Sequence, residues 1–359
     1  MNLANDVMSA RALTSTQGDL LLDAGADFRF AELGNLAVSR GPIGDVAVHP
    51  DGHTLVATNY GDNSVAVIDA DTLALRALGI LDGEAVATAA AGGRVYVATT
   101  SPSYDAVSVI DVDTETIVAT YPLDLSITAL AVSGDGRRIF VGRSGRAGSD
   151  LATVDTATGA VSAIGLAVAP GVVLDALRVG PDGARLYAAL SDAYGSDLCV
   201  VDVAASRVLS TVRIGSPIRD LAVSPDGGTA YVLVCHPRHG AWLDVVDTRT
   251  GRVVTTVEIG GFPTQMTLSP DGTRAYVVDR RDVLVICTVA EEIVGTITAG
   301  ALPSCVAAGP DGGRLYIADY AGGVTMVGIA PAKTMPLFQA MAMQWPTMPE
   351  VRELEPAAV

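Results

Sequence analysis

The tripeptide Pro-Asp-Gly, at residues 50–52, 181–183, 225–227, 270–272 and 310–312, constrains this chain more than any other feature. Degenerate copies at 91–93 and 134–136 fill the gap, and the closing glycines (Gly52, Gly93, Gly136, Gly183, Gly227, Gly272 and Gly312) fall 40 to 47 residues apart. A near-constant period of that length marks one structural unit repeated along the chain. The tripeptide is itself a turn: proline presets φ, aspartate caps its own backbone, and glycine takes a positive φ.

Each copy has the same grammar. A short apolar run precedes the turn, as in Asp45-Val46-Ala47-Val48 and Asp220-Leu221-Ala222-Val223, and a second run follows it, as at 54–58 and 186–190. After a polar loop, a third run ends in Ile-Asp or Val-Asp, at Asp69, Asp111, Asp155, Asp202 and Asp247. A Thr/Gly/Ala-rich turn then leads to a fourth, more exposed run such as 252–259. The residues are 49% hydrophobic but only 5% aromatic, so the apolar content is small and β-branched, which suits short strands joined by tight turns. Four short antiparallel strands in ~40–45 residues make one propeller blade. The sequence therefore predicts an all-β, seven-bladed β-propeller with four-stranded antiparallel blades.

The last repeat supplies only three runs, at 304–308, 315–318 and 324–329. Residues 28–40 are expected to supply the fourth strand from the other end of the chain, which would close the ring and remove open sheet edges. Residues 19–24, Asp-Leu-Leu-Leu-Asp-Ala, compete for the same place. The expected organisation is an N-terminal extension over 1–27, the propeller over 28–332 and a non-repeat tail over 333–359.

Blade 1 reads Leu55-Val56-Ala57-Thr58-Asn59-Tyr60-Gly61-Asp62-Asn63-Ser64-Val65-Ala66-Val67-Ile68-Asp69. Together with the Pro-Asp-Gly turns, it resembles the YVTN repeat of bacterial and archaeal propellers, over about residues 41–332. Two tryptophans, Trp242 and Trp345, cannot furnish the per-blade tryptophans of WD40 or quinoprotein propellers. The resemblance implies the fold strongly and the function hardly at all, because members range from surface-layer-like proteins to accessory partners of other assemblies. The low-lysine, Ala/Gly/Val-rich composition is similar to actinobacterial members, some of which resemble cell-envelope accessory proteins associated with lipid-exporting membrane transporters. A protein partner, including a membrane transporter complex, is what this resemblance implies.

A net charge of −17 repels phosphate backbones, which argues against nucleic acid as a partner. Cys199, Cys235, Cys287 and Cys305 show no regular spacing and read as unpaired thiols of a reducing compartment. The first 16 residues lack the apolar core of a secretory signal, and no stretch approaches the ~18 apolar residues of a membrane span. The expectation is a cytoplasmic protein, or one peripheral to the inner face of a membrane, without a transmembrane segment.

Candidate functional residues are those that break the repeat. In a propeller, the loops between second and third strands and the loops between blades share one face around the channel mouth. Inter-blade positions place Asp45, Glu84, Asp175, Arg219, Asp220 and Gln265 there, and Arg178 falls within an innermost strand where other blades have Ala or Thr. One reading is an ion pair of Arg178 or Arg219 with Asp175 or Asp220, since buried charges need partners. The other is a polar mouth for a small anion or a peptide carboxylate, with Arg219 as anchor.

Cys235, His236 and His239 share one loop and are residue types that bind zinc or copper. A proline interrupts the pair and no second cluster supplies further ligands, so a solvated loop is favoured and no cofactor is expected. His49 and His53 flank the first turn on the opposite face and read as surface residues. The in-register aspartates read as turn caps. Loop arginines 143, 146, 280 and 281 and tyrosines 60, 104, 194 and 320 are natural partner hot spots. In the tail, Phe338, Met341, Met343 and Trp345 could form an adaptable contact surface. With no convergent catalytic groups, the functional expectation is a non-enzymatic interaction scaffold or accessory subunit of a cell-envelope or lipid-export complex. The alternative is a propeller lactonase or lyase with a channel-mouth site.

Overall fold

A computed structural model describes residues 28–331 of the 359-residue chain, apart from 39, 125, 168 and 299–301. Within these residues the chain forms seven four-stranded antiparallel sheets, six built from one repeat each and the seventh from the last repeat and an N-terminal strand. Blade 1 runs Ile43–Val48, Thr54–Asn59, Ser64–Asp69 and Leu75–Ile80, innermost strand first. The other blades follow the same order, and blade 7 uses Pro303–Ala308, Arg314–Asp319 and Gly323–Pro331.

The fourth strand of blade 7 is Phe28–Ala37, which pairs antiparallel with Gly323–Pro331 from Phe28 opposite Pro331 to Ala37 opposite Gly323. The closing strand expected from residues 28–40 is therefore formed, while the competing segment at 19–24 lies outside the described residues. Phe30 is buried and meets Tyr276 of blade 6 edge-on, with ring centroids 6.4 Å apart.

The core lies between blades rather than inside them. Each apolar cluster joins two neighbours: Tyr96, Val107 and Val109 of blade 2 pack with Leu130, Ile139 and Val141 of blade 3, and the same pattern recurs around the ring. A blade alone would leave both faces wet, which is why alternation of small apolar residues demands a ring of copies. The turns add a second tie. A Cβ on Gly52, Gly227 or Gly272 would lie 3.3, 3.3 or 2.5 Å from Pro310, Pro181 or Pro225, the turn proline of the preceding blade. Glycine is thus needed twice over, for a φ of +70 to +77° and for this close approach. Gly183 has the same positive φ but open space around it, because the preceding blade 3 carries Gly134 where blades 1 and 4 to 7 have the proline. Gly272→Ala is expected to lower stability by about 2–3 kcal/mol and Gly183→Ala by about 1 kcal/mol, the difference being the contact with Pro225. Urea unfolding of the two variants measures it.

The in-register aspartates are turn caps. Oδ1 of Asp69, Asp111, Asp155 and Asp247 accepts the backbone N–H of the threonine three residues on at 2.7–2.9 Å and its hydroxyl at 2.7–3.0 Å. The Thr72 hydroxyl foremost lowers the Asp69 pKa, and the N–H groups of Thr114, Thr158 and Thr250 foremost lower those of Asp111, Asp155 and Asp247. A carboxyl held below its ordinary 3.8 in the folded state contributes stability above that pH and loses it as the pH falls through the folded value. The wild type is therefore expected to lose stability below about pH 4, and a variant with all four changed to Asn to be less stable at neutral pH but flatter through the acid range. Chemical denaturation at pH 7, 5 and 3 compares the slopes.

Candidate site at the channel mouth and loop face

Every innermost strand carries a β-bulge at the same register, between Ile43 and Asp45 in blade 1, Leu174 and Ala176 in blade 4, Ile218 and Asp220 in blade 5, and Pro263 and Gln265 in blade 6. A bulge re-aims the side chains around it. Here it turns them onto an axial cavity of about 710 Å³ lined by the seven innermost strands.

Three of the residues expected at the mouth are used as ties between blades. Asp45 Oδ2 accepts the Thr88 N–H at 2.7 Å, and Oδ1 accepts the Val46 N–H at 2.9 Å. Asp220 repeats this with Met266 at 2.9 Å and Leu221 at 2.8 Å, and Gln265 Oε1 accepts the Val306 N–H at 2.6 Å. In each case one side chain fixes the innermost strand of the next blade. The other blades have Ala87, Ala129, Ala176 and Cys305 at this position and make no such bond.

Arg178 stands on the channel wall where neighbouring blades place Ala89, Ala131, Ala222, Thr267 and Ala307. Its Nη2 donates to Asp220 Oδ1 at 2.6 Å and its Nη1 to the Leu177 carbonyl at 2.9 Å. Of the pairings open at the sequence level, Arg178 with Asp220 is the one formed. Burial raises the Asp220 pKa, opposed first by the Arg178 charge; burial also raises that of Asp45, opposed first by the Thr88 N–H. Asp175 and Arg219 occupy bulge positions in blades 4 and 5, on the cavity lining. Burial raises the Asp175 pKa against the Ser191 hydroxyl and the Arg219 charge, and Asp175 Oδ2 has no hydrogen-bond partner among the described residues. Glu84 begins the innermost strand of blade 2 above the bulge and is exposed, outside the residues that line the cavity.

The candidate metal ligands Cys235, His236 and His239 are not brought together. Cys235 and His236 are adjacent in the strand Thr229–His236, so they point to opposite faces of the sheet; Cys235 is buried and His236 faces the loop. The rings of His236 and His239 lie tilted against each other with centroids 4.4 Å apart, and His236 Nδ1 accepts the N–H groups of Arg238 and His239 at 3.1 and 3.2 Å. Among the described residues no group of three His, Cys, Asp or Glu side chains is placed to hold a metal. His49 is likewise not a surface residue: it is 6% exposed, because its ring folds back onto the turn, where Nδ1 accepts the Asp51 N–H at 3.2 Å. The four cysteines are free.

The loop face carries the exposed aromatics. Tyr60, Tyr104, Tyr194 and Tyr320 lie between second and third strands of blades 1, 2, 4 and 7, and Phe262 lies between blades 5 and 6. These five are all of the exposed Phe, Tyr and Trp rings among the described residues, so the opposite face has none. Arg280 sits over the Phe262 ring at 4.5 Å, and Arg143 makes a two-pronged pair with Asp150 at 2.7 Å. Phe262 escaped sequence reasoning because it falls in an inter-blade loop with no repeat signature. The tail residues Phe338, Met341, Met343 and Trp345 lie outside the described residues.

Fold and site together define a seven-bladed β-propeller, closed by its N-terminal strand, with a polar-mouthed axial channel and an aromatic loop face. Over 238 residues the chain is 40% identical to the seven-bladed beta-propeller protein Rv1057 of Mycobacterium tuberculosis, a match covering 57% of this chain and 61% of that protein's length. A chain of Kuenenia stuttgartiensis hydrazine synthase superposes with a TM-score of 0.73 over 82% of this chain and 98% of its own, at 21% identity, a likeness of fold alone. No protein-family model matches the sequence. No helix among the described residues is long and apolar enough to cross a membrane.

Proposed function

We propose that this protein is a non-enzymatic interaction scaffold that holds a protein partner on its loop face, as an accessory subunit of a cell-envelope or lipid-export complex. The observation that carries this reading is the segregation to one face of all five exposed aromatic rings among the described residues, one of them, Phe262, lying under Arg280. Aromatic residues and arginine are the types that dominate binding energy at protein interfaces. The envelope setting rests on the resemblance to actinobacterial YVTN-type propellers. The lactonase or lyase alternative has less support: Asp45 and Asp220 are committed to backbone ties, and no histidine lines the cavity among the described residues.

Affinity capture from native membranes and cytosol is expected to recover a reproducible partner with the wild type. A Tyr60→Ser, Tyr194→Ser, Phe262→Ser triple variant is expected to lose it, since each hot spot is worth about 2 kcal/mol or more. Equal recovery by the triple variant, or no reproducible partner with the wild type, would refute the reading.

A further inference from the structure

The axial channel is uneven in what it offers a ligand. Toward blades 2 and 3 its wall is Val86, Ala87, Ala89, Ala129 and Ala131, without charge. At the junction of blades 4 and 5 it carries Asp175, Arg178, Arg219 and Asp220, followed by Gln265 in blade 6. The groups already consumed can be subtracted. Both oxygens of Asp220 are engaged: Oδ1 accepts from Arg178 Nη2 and the Leu221 N–H, and Oδ2 accepts the Met266 N–H. Gln265 has given its carbonyl oxygen to Val306, which fixes the amide and leaves its NH₂ as donor.

What remains is a small set of unsatisfied groups. The Arg178 side chain is 38% exposed, and the guanidinium has donors beyond its two bonds. Arg219 makes no hydrogen bond or ion pair among the described residues, yet its charge acts on Asp175 from the neighbouring blade. Asp175 Oδ2 is a buried acceptor with no partner, and such a group carries a desolvation cost that a donor on a ligand would remove. Two guanidinium groups and an amide NH₂ offer donors to a planar anion, and a single carboxylate beside them offers an acceptor.

The geometry points to a subsite at the blade 4–5 junction for a small carboxylate bearing a hydrogen-bond donor on the adjacent carbon, that is, a 2-hydroxy or 2-amino acid. The carboxylate lies against Arg219 and Arg178, and the donor meets Asp175 Oδ2. The uncharged sector opposite leaves room for the remainder of a larger acid. A bare anion is a poorer fit, because Asp175 would face it without a proton between them. This site is independent of the loop-face partner: it uses the lumen, and none of the five exposed rings.

Isothermal titration calorimetry of the full chain with lactate, alanine and propionate tests the assignment. The wild type is expected to bind lactate or alanine at least ~10-fold more tightly than propionate, about 1.4 kcal/mol of discrimination from one added hydrogen bond. Arg219→Met, which breaks no bond in the fold, is expected to weaken that ligand by ~10-fold or more. Asp175→Ala is expected to bind lactate, alanine and propionate equally while unfolding at no lower urea concentration than the wild type, since the lost carboxylate was short of a partner. The assignment is overturned if the wild type binds none of the three up to about 10 mM, if propionate binds as well as the others, or if both variants bind as the wild type does.

Discussion

Deleting residues 28–37 is expected to abolish the folded monomer. The deletion removes the whole fourth strand of blade 7, takes Phe30 and Leu36 out of the clusters that join blade 7 to its two neighbours, and strips Gly323–Pro331 of its outer pairing partner. What is left is an open ring with an unpaired edge of alternating apolar residues, a template for edge-to-edge association. Size-exclusion chromatography is expected to show aggregate in place of monomer, with loss of the cooperative urea transition. Phe30→Ala keeps the backbone pairing and removes only the ring, so it is expected to fold, with a loss of about 3–5 kcal/mol. A deletion variant that remains monomeric and unfolds cooperatively would mean that closure lies elsewhere.

Asp220→Ala is the second large effect, at about 2–4 kcal/mol. The substitution leaves the Met266 N–H without its acceptor at a buried position and the Arg178 guanidinium without its counter-charge. Breaking a fully buried pair costs about 3–5 kcal/mol and an exposed one about 1 kcal/mol or less; Asp220 is 5% and Arg178 38% exposed, which places this pair between them. Asp220→Ala combined with Arg178→Ala removes the stranded charge as well, so the double variant is expected to recover part of the loss. Urea unfolding of the two single variants and the double gives the coupling directly. If the single variant matched the wild type, Asp220 would not be a tie.

The two experiments probe different layers of legibility. The closing strand was readable because the last repeat came up one strand short, and only a segment from outside the repeat could complete it. The competing run at 19–24 shows where pattern stops: strand propensity is local, and pairing is not. The turn caps were readable for the same reason as the fold, since a role repeated once per period shows itself in register. The mouth was only half legible. Residue types and positions picked out Asp45, Asp175, Arg178, Arg219, Asp220 and Gln265, but nothing in the sequence separated the three that stitch blades together from the three that face the lumen. That division depends on the bulge, which shifts side-chain direction by one residue, and on which neighbouring N–H lies within 3 Å. Glu84 stands apart from them because it precedes the bulge of its strand. The Cys235, His236 and His239 set failed on alternation: neighbours in sequence became opposites across a sheet.

By itself, then, the sequence determined the repeat, the number of blades, the turn chemistry and the antiparallel order, because each follows from local periodicity and from apolar faces that only a copy of the same unit can cover. Tertiary structure decided which glycines must be glycine because a neighbour's proline rests on them, which carboxylates are spent on the backbone of the next blade, and that every exposed aromatic ring among the described residues lies on one face. Those are relations between residues of different blades, far apart in sequence, set by ring closure and by the register of the bulges, and no local pattern encodes them.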